Sequence, residues 1–138
     1  MSVERIMSTS VVTVSMDDSL STIREIFDRH GFHHVLVVEE GRLVGIVSDR
    51  DLLKALSPNL GTASETARDL ASLHRRAHQI MSRQLITLRR EAGIQDAIET
   101  FNRNRISCIP IVDAANRPVG IVSWRDILKV IHAGRPPG

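Results

Sequence analysis

The sequence predicts an α/β chain of the α+β type: two β-α-β-β-α repeats packed by a pseudo-twofold, with an extra helix between them. Three observations carry this reading. First, "GIVSDRDLLK" at Gly45–Lys54 returns as "GIVSWRDILK" at Gly120–Lys129, the two differing only by Asp49 against Trp124 and Leu52 against Ile127. Second, Met7 and Thr13 match Met81 and Thr87 once a single extra residue is allowed near Ala114–Ala115, a loop position where an insertion is tolerated. Third, each copy shows the same order of apolar periodicities, and neither copy alone could bury much apolar surface. The expected boundaries are a first repeat over 1–56, a helical insertion over 57–77, a second repeat over 78–133 and a flexible tail over 134–138.

Each copy opens with "RIMSTSVVTV" or "QIMSRQLITL", a short segment ending in a β-rich run. A helix follows, over Ser19–His30 or Gly93–Asn104. Leu20, Ile23, Ile26 and Phe27, and then Ile94, Ala97, Ile98 and Phe101, recur at the spacing of one helical face. Asp17 and Asp18 stand before the first helix as N-terminal caps. "HHVLVVEEGRLVGIVS" reads as strand, tight turn at Glu40–Gly41, strand; "SCIPIVDAANRPVGIVS" reads the same way with a longer turn through Ala114–Asn116. Asp51 or Asp126 begins a second helix, with Leu52, Leu53 and Leu56, or Ile127, Leu128 and Ile131, on its apolar side. In the insertion, "SPNLG" is a break and "TASETARDLASLHRRA" reads helical, Thr62 and Glu65 fitting a capping box.

Composition narrows the function classes. The chain has 138 residues, 42% hydrophobic and 25% charged, ordinary for a globular protein. No apolar run approaches the ~20 residues of a membrane span, and "MSVERIMSTS" has no apolar core for a signal peptide, so the expected compartment is the cytoplasm. The single cysteine, Cys108, excludes an internal disulfide and reads as a buried small hydrophobe. A net charge of +2 and 3% aromatic residues give little for nucleic acid to bind; the competing idea, a basic helix through Arg68, Arg75 and Arg76, predicts strongly salt-dependent binding.

At this point the chain closely resembles a tandem cystathionine-β-synthase (CBS) domain pair of the stand-alone bacterial type. The resemblance runs from Ile6 to Ile131 apart from the inter-repeat helix. It rests on the two "GIVSxRD" phrases and on "RISCIPIVD" at Arg105–Asp113, similar to the family's strand entry ending in proline. The first copy departs from the pattern with Leu36 where the second has Pro110.

The ten-residue phrase sets Ser48 or Ser123 at a strand end, Asp51 or Asp126 at a helix start, and Arg50 or Arg125 on the same rim. A helix start offers free N–H groups to phosphate, arginine matches phosphate geometry, and a carboxylate can accept from both hydroxyls of a ribose. The same Ser and Asp residues are also ordinary cap and turn residues, and the two readings are compatible. The resemblance favours the ribose role, and it implies that the adenine is held by the opposite repeat. One cleft then combines Ser123, Arg125 and Asp126 with Thr13, His33, His34 and Val35. The other combines Ser48, Arg50 and Asp51 with Thr87, Ser107, Cys108, Ile109 and Pro110. Adjacent histidines on a strand point to opposite faces, so His33 and His34 are poorly placed to chelate one metal ion. Trp124, the only tryptophan, reads as a surface or subunit-interface residue.

No serine–histidine–acid order, glycine-rich phosphate loop or metal-spaced cluster stands out, so no enzyme and no obligatory cofactor are expected. The expected function is a regulatory module that binds an adenosine-containing ligand (AMP, ADP, ATP or S-adenosylmethionine) and passes the signal to a separate effector protein. The resemblance implies a homodimer. The alternative is a structural or interaction protein with degenerate clefts.

Overall fold

The computed structural model of the chain describes residues 1–132; the tail expected over 134–138 lies outside them. In order the elements are β1 (Thr13–Ser15), α1 (Leu20–His30), β2 (His34–Glu39), β3 (Arg42–Ser48), α2 (Asp49–Ala55), α3 (Ala67–Ala71), α4 (Ala77–Ile80), β4 (Leu88–Arg89), α5 (Ile94–Arg103), β5 (Cys108–Val112), β6 (Pro118–Ser123) and α6 (Trp124–His132). Single 3-10 turns lie at Val3–Arg5 and Ser72–His74. The strands form two three-stranded sheets, β1-β2-β3 and β4-β5-β6. In each sheet the first pair is parallel, across the helix, and the second is an antiparallel hairpin. The first hairpin turns through Glu40 and Gly41, with φ of 52° and 79°. Two successive positive φ values match the twist of the flanking strands and favour glycine. The second hairpin turn is held by Asp113, whose Oδ1 accepts from Ala115 N–H and Arg117 N–H at 2.9 Å each.

The chain packs as two compact units that do not follow the repeat boundaries. One joins Met1–Val11 to the chain from Ile86 onward, and the other is Val12–Leu85. The opening segment of each copy thus edges the sheet of the other copy. Ile46 and Ser82 exchange backbone hydrogen bonds of 3.2 and 2.9 Å, as Ser8 and Ile121 do at 2.9 and 3.0 Å. These pairings satisfy groups that β3 and β6 would otherwise leave open as sheet edges. The core of the Val12–Leu85 unit is Val14, Leu20, Ile23, Val35, Val37, Val47 and Leu52, closed by Ala77 and Met81. In the other unit Val3 joins Ile94, Ala97, Phe101, Ile109, Ile111, Val122 and Ile127.

Several local expectations are corrected. Ser19, not Asp17 or Asp18, caps α1: its hydroxyl accepts from Thr22 N–H at 3.2 Å. Asp18 instead accepts from Ser15 N–H in the preceding turn. A hydroxyl one bond from Cβ reaches the first-turn N–H from the residue that enters the helix, and Asp17 and Asp18 lie too early. The insertion is not one helix: after a run of turns it holds α3 and the 3-10 turn Ser72–His74, and α4 starts only at its last residue, Ala77. Its capping box is Thr66 with Asp69, while Thr62 and Glu65 sit in the turn before it. The helices α2 and α6 begin two residues before Asp51 and Asp126, at Asp49 and Trp124. Their expected apolar sides are only partly buried: Leu52 and Ile127 are inside, but Leu53, Leu128 and Ile131 are 73%, 58% and 51% exposed. Trp124 is partly exposed and stacks on Phe101, ring centres 4.6 Å apart.

Candidate ligand-binding site

The repeated phrase folds as a strand that ends in a serine and turns directly into a helix. Its glycine is dictated by packing. A Cβ at Gly45 would overlap Met81 Sδ and lie 2.8 Å from Met81 Cγ, and a Cβ at Gly120 would meet Met7 in the same way. The "IMS" segment therefore lies flat on the strand, with its methionine over the glycine and its serine paired to the next residue.

At the strand end the serine and aspartate close reciprocal capping boxes. Ser48 N–H donates to Asp51 Oδ2 at 2.9 Å, and Asp51 N–H donates back to Ser48 Oγ at 3.0 Å. Ser123 and Asp126 repeat this at 2.8 and 3.4 Å, and Ser123 Oγ also donates to Asp126 Oδ2 at 3.1 Å. The sequence reading is corrected in its roles: Ser48 and Ser123 are the caps, and Asp51 and Asp126, expected as caps, are their partners three residues on. The boxes use Oδ2 of each aspartate, and Oδ1 takes no part in them. Arg50 and Arg125 are exposed beside the boxes.

The resemblance implied a base side from the opposite copy; the sheet register instead sets each rim beside the strand start of its own copy. His34 is the ladder partner of Ser48, and Cys108 is that of Ser123. Thr13 opens β1 opposite Leu36, next to the same end of the sheet. Within the Val12–Leu85 unit Thr13, His33, His34, Val35, Ser48, Arg50 and Asp51 therefore gather at one sheet end. Thr87, Ser107, Cys108, Ile109, Pro110, Ser123, Arg125 and Asp126 correspond to them in the other unit. Val35 and Ile109 are fully buried, so only their backbones are available to a ligand. The exchange of Leu36 for Pro110 has a local consequence. Leu36 N–H donates to Val12 O at 3.1 Å, a bond proline cannot make. Accordingly Thr13 pairs in β1, whereas pairing in β4 begins only after Thr87.

Electrostatics distinguish the two ends. His33 Nδ1 lies 3.0 Å from Asp49 Oδ2, and Asp49 N–H donates to His33 O at 2.9 Å. The hydrogen bond with His33 holds the Asp49 carboxyl below the usual carboxylate range. Burial lowers the pKa of His34, against the smaller opposing pull of Asp49 and Asp51, so its imidazole stays neutral at neutral pH. Burial pushes the Cys108 thiol up to about 12; it packs as the small hydrophobe that the sequence suggested. Asp49 was absent from the residues expected at the site, and its mismatch with Trp124 was the signal for it. A groove of about 660 Å³ along α5, lined by Thr87, Arg89, Glu91, Asp96, Glu99 and Arg103 among others, was not foreseen. Among the described residues no group of three or more His, Cys, Asp or Glu could hold a metal ion, and no helix is long and apolar enough to cross a membrane.

Two three-stranded β-α-β-β-α sheets, each ending in a Ser-x-x-Asp capping box, define a tandem CBS pair. The chain belongs to the CBS domain family, whose model matches residues 3–58 and 77–133. It is 30% identical over 122 residues to an uncharacterized protein of Methanocaldococcus jannaschii, MJ1225, covering 86% of this chain and 43% of that protein. It is 29% identical over 120 residues to the inosine-5'-monophosphate dehydrogenase of the same organism, covering 86% of this chain and 21% of the enzyme. The chain thus spans less than half the length of these curated relatives. Among solved structures it is similar to the CBS domain pair of protein MJ0100 in complex with 5'-methylthioadenosine and S-adenosyl-L-methionine, with 27% identity, a TM-score of 0.80 and 98% of both chains covered.

Proposed function

We propose that this CBS pair is a regulatory module that binds an adenosine-containing ligand and transmits the binding to a partner protein. The observation that carries the reading is the ladder pairing of His34 with Ser48 and of Cys108 with Ser123. It sets a Ser-x-x-Asp rim beside a strand start whose backbone groups could read an adenine edge. In this reading Oδ1 of Asp51 and Asp126 accepts from ribose hydroxyls while Oδ2 keeps the cap, so the cap and ribose roles coexist. Ser48 and Ser123 hydroxyls and the Arg50 and Arg125 guanidiniums face the 5' end of the ligand. Thr13, His33, His34, Val35, Thr87, Ser107, Cys108, Ile109 and Pro110 form the base side. AMP, ADP, ATP and S-adenosylmethionine are the candidate ligands, and the ligand complex of the MJ0100 pair supports that class.

The module performs no catalysis in this reading, and its output is a shift in conformation coupled to ligand affinity. It acts as a homodimer, a proposal supported by the exposed Leu53 on α2 and by Leu128 and Ile131 on α6. Isothermal titration against the four candidate ligands tests the ligand reading. Binding by at least one of them, lost in Asp51→Ala with Asp126→Ala while the fold is kept, is expected. No heat from any ligand would favour the alternative of a structural protein.

A further inference from the structure

The two rims differ at one position that the fold places in the open. Asp49 follows Ser48 directly, is the first residue of α2, and its side chain is 48% exposed. It is fixed twice to the base side: Oδ2 to His33 Nδ1 at 3.0 Å, and N–H to His33 O at 2.9 Å. In the second copy Trp124 holds this place, carries no charge, and lays its ring on Phe101.

We propose that Asp49 makes the Ser48–Asp51 rim selective for adenosine ligands whose 5' substituent carries no negative charge, a thioether or sulfonium nucleoside over a phosphorylated one. The inference rests on the adenosine reading above and names the ligand class for one of its two rims.

The charges at that rim are Asp49 and Asp51 against Arg50. His34 stays neutral because it is buried, so it does not offset the second carboxylate at neutral pH; the contact with His33 fixes the Asp49 carboxylate in place at the rim. The other rim sets Asp126 against Arg125 with no added acid. A phosphate at the Ser48 hydroxyl would sit a few ångströms from an anchored carboxylate, and like charges at that range repel even near a solvated surface. A thioether meets no such repulsion, and a sulfonium is attracted.

The test is titration calorimetry on the full chain at neutral pH with AMP, ATP, 5'-methylthioadenosine and S-adenosylmethionine. Asp126→Asn, which keeps an acceptor for the second capping box, weakens the other rim. In that background 5'-methylthioadenosine should bind roughly tenfold tighter than AMP. Adding Asp49→Asn should raise AMP and ATP affinity by about the same factor and leave 5'-methylthioadenosine within about twofold. Should Asp126→Asn fail to fold, Asp49→Asn alone in the unaltered chain must still strengthen the phosphorylated ligands selectively. Equal gains for all four ligands, or AMP binding as tightly as 5'-methylthioadenosine before Asp49 is changed, overturns the inference alone. No binding of any of the four to the unaltered chain overturns it together with the adenosine reading.

Discussion

Met81 lies across Gly45 so closely that no side chain fits between them: a Cβ at 45 would stand 2.8 Å from Met81 Cγ and would overlap the sulfur. Met7 and Gly120 repeat the arrangement. The expected outcome is that Gly45→Ala and Gly120→Ala each destabilise the protein by about 1–3 kcal/mol, the cost of overpacking a filled site. Urea unfolding measures it. Met81→Ala should lower stability alone yet partly relieve Gly45→Ala, so the double variant should be more stable than the sum of the two predicts. Strict additivity would show that the two residues do not meet.

Stability should fall on mild acidification because of His34. Burial lowers its folded-state pKa from the ordinary 6.5, with His33 adding to the effect and Asp49 and Asp51 opposing it. Above about pH 6.5 the residue is neutral in both states and its contribution is intact. As pH falls through that value the unfolded chain takes up the proton first, so stability is lost until folded His34 also titrates. The urea midpoint should drop between about pH 7.5 and 5.5, and the drop should be shallower in His34→Gln. Parallel slopes for the two proteins would assign the acid sensitivity elsewhere.

Cys108 should be inert while the protein is folded. Its thiol is pushed up to about 12 and only 6% of the residue is exposed, so the thiolate that reacts is absent. A thiol reagent at neutral pH should leave the native chain unmodified over a period that fully labels the urea-unfolded chain. Fast labelling of the native chain would contradict the buried placement.

Phe101 should matter more than its place on a helix suggests. It is buried in the core of its unit and also carries the ring of Trp124. Phe101→Ala should cost about 3 kcal/mol, whereas Trp124→Ala, removing a partly exposed ring, should cost about 1 kcal/mol. Chemical denaturation of the two variants checks the order, and a larger loss in Trp124→Ala would reverse it.

The repeat, the order of elements, the hairpin turns and the Ser-x-x-Asp rims were all legible in the sequence, because each rests on local periodicity or on a phrase written twice. Ser48, Asp51, Ser123 and Asp126 were read from that phrase, and the geometry of their capping boxes follows from a spacing of three residues. The insertion was misjudged for a local reason as well. Thr62 and Glu65 have the right types and spacing for a cap, but so do Thr66 and Asp69, and the structure places the helix after the second pair.

What only the tertiary structure decided is everything that depends on which distant segments meet. It sent Met1–Val11 to the sheet of the second copy and the segment through Leu85 to that of the first, because an open strand edge and a glycine without a side chain accept the "IMS" segment of the other copy. The same register turned His34 toward Ser48 and left Asp49 held by His33. A single sequence shows that Asp49 and Trp124 differ. The folded sheet shows that the difference is a fixed charge at the end of one rim, because only the pairing of β2 with β3 brings residues 33 and 49 within hydrogen-bonding distance.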